Sequence, residues 1–267
     1  MHAAIERISE AFTRARRTAT ALDTYPGELP ETLEAAYACQ EAAIARWPDA
    51  VAGWKVARIA PALLARFPEG RLIGPTFAHN VQRAAGTGAV DCEVFQGGFA
   101  AVETEVVILV GADAPAGKIA WTVDEAREYV GEMRIGVEIA SSPLATLNDL
   151  GPTAVISDFG NNWGIIVGAA PIADWRTRRT PIECETFIDG VSVGRRGVSI
   201  EEGPLAALAF TLSKAAARGR PLERGAVITT GMITGVHDVH VGQRSRHVFD
   251  GYGEVHARIV RARALAQ

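Results

Sequence analysis

A predominantly β, α+β fold with a helical N-terminal part is what this 267-residue sequence predicts, and three observations predict it. Apolar residues recur at helical spacing in two N-terminal stretches. From about Val51 the texture changes to short β-type segments broken by glycine and proline. One of those segments, Phe99 to Val110, is a long apolar run rich in β-branched residues, which suits a largely buried strand.

The elements follow in order. Residues 3–18 place Ile5, Ile8, Phe12 and Ala15 on one helical face, and residues 31–46 repeat the pattern with Leu33, Ala36, Tyr37, Gln40 and Ile44. Asp23-Thr24-Tyr25-Pro26-Gly27 is a turn-forming stretch between them. Two later helices are expected. One starts at Thr122, with Glu125 in the capping-box position, and runs to about Gly131; the other runs from Pro204 to Ala217 and is closed by Gly219. Asp189-Gly190, between Phe187-Ile188 and Val191-Ser192-Val193, is a two-residue hairpin signal. Val227 to Gly231, Val248 to Phe249 and Gly253 to Val260 read as further strands. No repeat period or linker divides the chain, so residues 1–50 are expected as a helical region and 51–267 as the catalytic β-rich domain, one structural unit.

Composition narrows the function. Hydrophobic residues make up 48% of the chain, and mean hydropathy is +0.09, enough to bury one large core. A formal net charge of −4 leaves no basic surplus for phosphate backbones, so nucleic acid is not an expected partner. Residues 2–18 are charged throughout and no apolar run approaches the ~20 residues that span a bilayer, so the expected location is cytoplasmic. Cys39, Cys92 and Cys184 are odd in number and far apart, which suits buried, inert thiols. Among 27 basic residues only Lys55, Lys118 and Lys214 are lysines, so each is worth inspecting for a role that needs an ammonium.

The most informative feature is Glu103-Thr104-Glu105 inside the apolar run. Strand alternation points both carboxylates the same way, with Cα atoms roughly 7 Å apart. Two readings stand: a solvated face carrying two charges, or a buried pair with a cation between them. A third acid, Glu138, sits in a second strand-like segment, Ile135 to Ala140. Three carboxylates suit Mg²⁺ or Mn²⁺, which prefer oxygen ligands and keep positions open for water and substrate.

Five segments then occur in a telling order: Gly53-Trp54-Lys55-Val56, Val102-Glu103-Thr104-Glu105, Val137-Glu138-Ile139-Ala140-Ser141-Ser142, Ser157-Asp158-Phe159-Gly160-Asn161-Asn162-Trp163-Gly164 and Gly225-Ala226-Val227-Ile228-Thr229-Thr230-Gly231. Together they resemble the 2-keto-4-pentenoate hydratase group of the fumarylacetoacetate hydrolase superfamily. The resemblance implies a mixed β-roll core with an N-terminal helical region, a Mg²⁺ or Mn²⁺ ion, and 2-hydroxy-2,4-dienoic or related 2-oxo acids as substrates. By position it makes Glu103, Glu105 and Glu138 metal ligands and sets Lys55 facing the substrate, where its own context suggests only a strand-end lysine. It also implies a homo-oligomer and allows a complex with a pathway enzyme.

Other polar residues carry paired readings. Asp158, Asn161 and Asn162 either shape a turn or bind substrate oxygens; Thr230 and Gly231 match positions that offer a hydroxyl and an N–H to the substrate carboxylate; Ser141 and Ser142 could donate hydrogen bonds to a ligating carboxylate. The family's hydratases carry an aspartate in the stretch matching Gly70 to Phe77, where this chain has Gly74 and Pro75. His79 is the nearby candidate acid or base; its alternative is a loop histidine without a role. His237 and His240 form an H-x-x-H that joins imidazoles only on a helix, and are expected in a solvent-exposed turn. Three functions result. The first is a hydro-lyase adding water to a 2-hydroxy-2,4-dienoate in aromatic-compound catabolism. The second is a 2-oxo-3-enedioate decarboxylase or acylpyruvate-type hydrolase on the same site. The third is a catalytically silent partner subunit.

Overall fold

The computed structural model describes residues 2–86 and 88–265. Its helices are α1 (His2–Thr18), α2 (Leu33–Arg46), α3 (Val123–Arg127), α4 (Pro152–Ser157) and α5 (Ala206–Ala217). Its strands are β1 (Val51–Arg58), β2 (Arg71–Phe77), β3 (Val81–Arg83), β4 (Val90–Val94), β5 (Phe99–Val110), β6 (Val130–Ser142), β7 (Asn162–Pro171), β8 (Ile182–Ile188), β9 (Val191–Val198), β10 (Val227–Thr229), β11 (His237–Asp238), β12 (Arg244–Phe249) and β13 (Gly253–Arg261).

Two mixed sheets carry the fold. The larger has eight strands in the order β2-β1-β10-β5-β6-β7-β3, with β11 also on β5; the smaller has five in the order β4-β13-β12-β8-β9. The long pair β5–β6 lies at the centre, buried on both faces, which is why β5 reads as a nearly continuous apolar run. One large core cluster, from Trp54 and Val106 to Leu212 and Ile259, fills the space around these strands.

Helices α1 and α2 pack on each other and on α4, and bury Ile8, Phe12 and Cys39 against Leu144, Leu147 and Ala154. Thr32 caps α2 by accepting from the Ala35 N–H. All three cysteines are buried and unpaired. No helix is long and apolar enough to cross a membrane among the described residues.

Three expectations need correction. The capping box at Thr122 and Glu125 is present, but the helix ends at Arg127, because from Val130 the chain pairs with β5 and continues as a strand. The last long helix gains a wide π-type turn, Glu201–Leu205, with Pro204 inside it, before α5 begins. His237 and Asp238 are not a free turn: they pair with Val102 and Ala101 of β5.

A candidate metal centre and its cavity

Pairing of β5 with β6 assembles the acidic cluster. Glu103 stands directly opposite Glu138 in the antiparallel register, and Glu105 opposite Gly136. One carboxylate oxygen from each of Glu103, Glu105 and Glu138 lies within 4.8 Å of the others, and all three side chains are buried. The solvated-face reading of the Glu-Thr-Glu segment therefore fails, because all three of its side chains are buried.

Two of the three acids, Glu138 and Glu105, are held from behind. Thr229 Oγ1 donates to Glu138 Oε2 at 2.8 Å, and the Gly231 N–H donates to Glu105 Oε2 at 2.7 Å. Lys55 Nζ lies 2.8 Å from Glu138 Oε1. Glu105 Oε1 is buried without a hydrogen-bond partner among the described residues. A buried carboxylate oxygen without a donor is costly unless something cationic meets it. Three oxygen donors, each oriented through its second oxygen or by its strand, fit a hard divalent ion.

Burial, then the charge of Glu138, pushes Glu103 up to about 7, with Lys55 pulling the other way. Burial and the charges of Glu138 and Glu103 push Glu105 well above the usual carboxylate range. For Lys55 burial works against the ammonium, but Glu138, Glu103 and Glu105 outweigh it and hold the proton more tightly than in water. In the metal-free protein Lys55 therefore keeps its proton, as the cation among three acids. An ion among the carboxylates would relieve the same repulsion.

Beside the cluster is a cavity of about 290 Å³. Lys55, Arg58, Glu103, Asn148, Asn161, Thr230 and Gly231 give its wall polar groups, and Leu63, Leu72, Val155, Val198, Met232 and Val236 add apolar ones. Glu103 is the one carboxylate lining it, and no histidine does, among the described residues. The wall near Lys55 is a left-handed turn in which Phe159, Gly160 and Asn161 all have positive φ, 53°, 70° and 62°. Such backbone is strained for the two residues that have side chains. It is held by close approach to β2: a Cβ at Gly74 would meet the Phe159 carbonyl oxygen at 2.1 Å.

The remaining sequence candidates divide clearly. Thr230 and Asn161 line the cavity; Thr230 Oγ1 donates to the Val106 carbonyl, while Asn161 Nδ2 donates to Asn148 Oδ1 at 3.2 Å and its Oδ1 is buried without a partner. Asp158 is not brought to the cavity: Arg16 of α1 occupies both of its oxygens, at 2.5 and 2.8 Å. Ser142 accepts from the Leu144 N–H and so stabilises a turn. Its neighbour Ser141 donates to the Phe99 carbonyl instead of a ligating carboxylate. His79 is exposed, its N–H tied to Asp49, and it lines a different hollow with Asn80, Asp91 and Glu93.

Sequence reasoning missed Thr229 as a partner of Glu138, Asn148 as a wall residue, and Arg16. Only Arg16 had left a readable signal, an arginine four residues after Phe12 on the apolar stripe of α1.

No family model matches the sequence, and no curated protein is similar to it by sequence. Solved structures match along nearly the whole chain. The 4-oxalocrotonate decarboxylase of Pseudomonas putida G7, complexed with magnesium and adipate, is 19% identical and superposes with a TM-score of 0.79 over 97% of this chain and 98% of that one. The same enzyme complexed with calcium and acetate gives 20% identity and 0.78 over the same shares. Fumarylpyruvate hydrolase from Pseudomonas aeruginosa, in complex with Mn²⁺ and pyruvate, is 19% identical, with a TM-score of 0.57 over 78% of this chain and 89% of that one. With its N-terminal helices and curled mixed sheets, the chain has the fold of the fumarylacetoacetate hydrolase superfamily.

Proposed function

We propose that this protein is a divalent-metal-dependent lyase that removes CO₂ from a 2-oxo-3-enedioate, with Glu103, Glu105 and Glu138 holding Mg²⁺ or Mn²⁺. The observation that carries the choice of reaction is the make-up of the cavity wall: of the stretch Gly70 to Phe77 it is Leu72 that lines it, and a side chain at Gly74 would overlap the Phe159 carbonyl. Among the described residues the wall offers no histidine, and no acid besides Glu103, to activate water. Hydration needs a base for water and a proton donor for carbon. Decarboxylation needs an electron sink and a site that strips water from the departing carboxylate.

When bound, the metal would supply that sink, stabilising negative charge that develops on the 2-oxo oxygen. The C–C bond to the distal carboxylate breaks, CO₂ leaves, and the bond's electron pair moves through the conjugated chain to the C2 oxygen, giving a dienolate that takes up one proton. Lys55, held as a cation at the cavity wall, attracts the substrate's 2-oxo carboxylate and steadies the dienolate. Thr230 and Gly231 flank that end. Leu63, Leu72, Val155 and Val198 exclude water from the rest of the chain and so favour loss of charge as CO₂. The decarboxylase named among the structural neighbours, matched over almost its full length, supports this reading.

Purified protein with Mg²⁺ or Mn²⁺, given a 2-oxo-3-enedioate and a panel of 2-hydroxy-2,4-dienoates, is expected to release CO₂ from the first and leave the second unhydrated, followed by ultraviolet absorbance and NMR. A new carbinol carbon formed from the dienoates, without CO₂, would overturn the proposal in favour of the hydratase.

A further inference from the structure

The reverse face of β5 carries a polar chain for which binding of an ion and substrate has no use. Alternation turns Thr104 away from Glu103 and Glu105, toward the smaller sheet. There Thr104 Oγ1 lies 2.6 Å from His247 Nδ1 and 2.5 Å from Thr186 Oγ1. His247 Nε2 lies 2.9 Å from Ser245 Oγ. In the other direction Thr186 meets the Thr234 hydroxyl at 2.7 Å, and Thr234 meets His237 Nε2 at 3.1 Å. Thr104, Thr186 and His247 are wholly buried.

Burial, followed by the neighbouring His237 and His256, pushes His247 down to about 3, so its imidazole is neutral, with one donating and one accepting nitrogen. Each hydroxyl and each neutral imidazole supplies one hydrogen. Every contact is then filled with no buried hydroxyl hydrogen left over only when all bonds along the chain run in one direction or all in the other. A break would leave a buried polar group unpaired in apolar surroundings, the expensive outcome for such a network.

The chain ties three parts of the molecule to one residue. Thr104 is flanked by two acids of the cluster, its hydroxyl grips β8 and β12 of the second sheet, and its carbonyl accepts from the Ile233 N–H of the segment that walls the cavity. We propose that Thr104 and His247 are positioning residues for the metal centre, fixing the rotation of β5 about its own axis and thereby the aim of Glu103 and Glu105. The inference rests on the metal-centre reading given under the proposed function.

The test is Mn²⁺ binding by calorimetry and the electron paramagnetic resonance spectrum of the bound ion, on Thr104→Val, which removes the hydroxyl, and Thr104→Ser, which keeps it. Near-ultraviolet circular dichroism checks folding. Thr104→Val is expected to weaken Mn²⁺ by about tenfold or more, the scale on which groups behind metal ligands act, and to change the spectrum, while Thr104→Ser retains both. A folded Thr104→Val with unmodified affinity and spectrum would overturn the proposal, as would a Thr104→Ser no better than Thr104→Val. Should Thr104→Val fail to fold, Ser245→Ala unties His247 from behind without touching β5: weaker Mn²⁺ binding supports the proposal, and unchanged affinity and spectrum overturn it. An unmodified protein that binds no Mn²⁺ sinks the metal-centre reading and this inference with it; binding that the variants leave unchanged sinks the positioning role alone.

Discussion

Two groups of charges lie buried among the described residues, and they are built on opposite accounts of charge balance. At one, Arg16 meets Asp158 with both side chains fully enclosed. Its Nε and one terminal nitrogen bind the carboxylate, the carbonyls of Ser141, Asn162 and Asp158 take further N–H groups, and the rings of Phe95, Phe159 and Trp163 surround the guanidinium at 5.3 to 5.6 Å. One cation meets one anion. At the other, three carboxylates share one ammonium, and Glu105 Oε1 has no donor among the described residues. A buried ion pair whose hydrogen bonds are complete holds parts of a chain together, here α1 against the turn at Asp158. A buried cluster with surplus charge of one sign is strained until something from solution joins it.

The contrast can be broken from either end. The largest effect is expected at the balanced pair: Arg16→Met leaves Asp158 buried and unpaired and should cost about 3–5 kcal/mol of stability, whereas adding Asp158→Leu should restore part of it. Urea unfolding of both variants checks this, and a double variant no more stable than the single one would contradict it. At the unbalanced cluster the sign differs. Glu105→Ala removes a buried carboxyl group whose Oε1 has no donor among the described residues, so the metal-free protein should keep or gain stability while Mn²⁺ affinity falls by more than the roughly 10–100-fold expected for groups behind a ligand. Calorimetric titration together with a thermal melt reads both.

A smaller effect is a pH slope. Glu103 titrates near 7 in the folded chain, above its ordinary value near 4.5, so the folded, metal-free protein binds more protons than the unfolded chain between those values. Its stability should therefore fall as pH rises from about 4.5 to about 7, and Mn²⁺ should offset the loss most strongly above 7. Melts at pH 5 and pH 8 test this, with Glu103→Gln expected to flatten the slope. The smallest expected effect is at His79: His79→Ala should leave stability within about 0.5 kcal/mol and turnover unchanged. A large loss of turnover there would mean that the acid or base had been sought in the wrong place.

The period of two in β5 made Glu103 and Glu105 legible as a pair, and the strand-like setting of Glu138 made it a candidate for the same centre. Their convergence was not legible, because it depends on the β5–β6 register that sets Glu103 opposite Glu138, and register is decided by pairing. Which of the two readings of Asp158 applies was illegible for the same reason: its partner lies 142 residues away in another element. Gly74 could be read as a missing aspartate, but the carbonyl that forbids a side chain there belongs to a turn far along the chain. The short strand at His237 was hidden because two residues carry no periodicity.

The edge of β5 on the side away from β6 is shared by two short strands. β10 covers Val107 to Leu109, β11 covers Ala101 and Val102, and the segment Thr230 to Val236 arches across the gap between them. The ladder is thus interrupted alongside Glu103 and Glu105, and the arch supplies Thr230, Gly231, Met232 and Val236 to the cavity wall. Chain in that arch is tied to β5 by the Gly231 N–H on Glu105 Oε2 and the Ile233 N–H on the Thr104 carbonyl, while Met232 and Val236 turn side chains to the cavity. In the proposed enzyme one short segment would thus both steady a metal ligand, through backbone, and shape the acid's pocket, through side chains, so that side chains there could be exchanged with the backbone contacts kept.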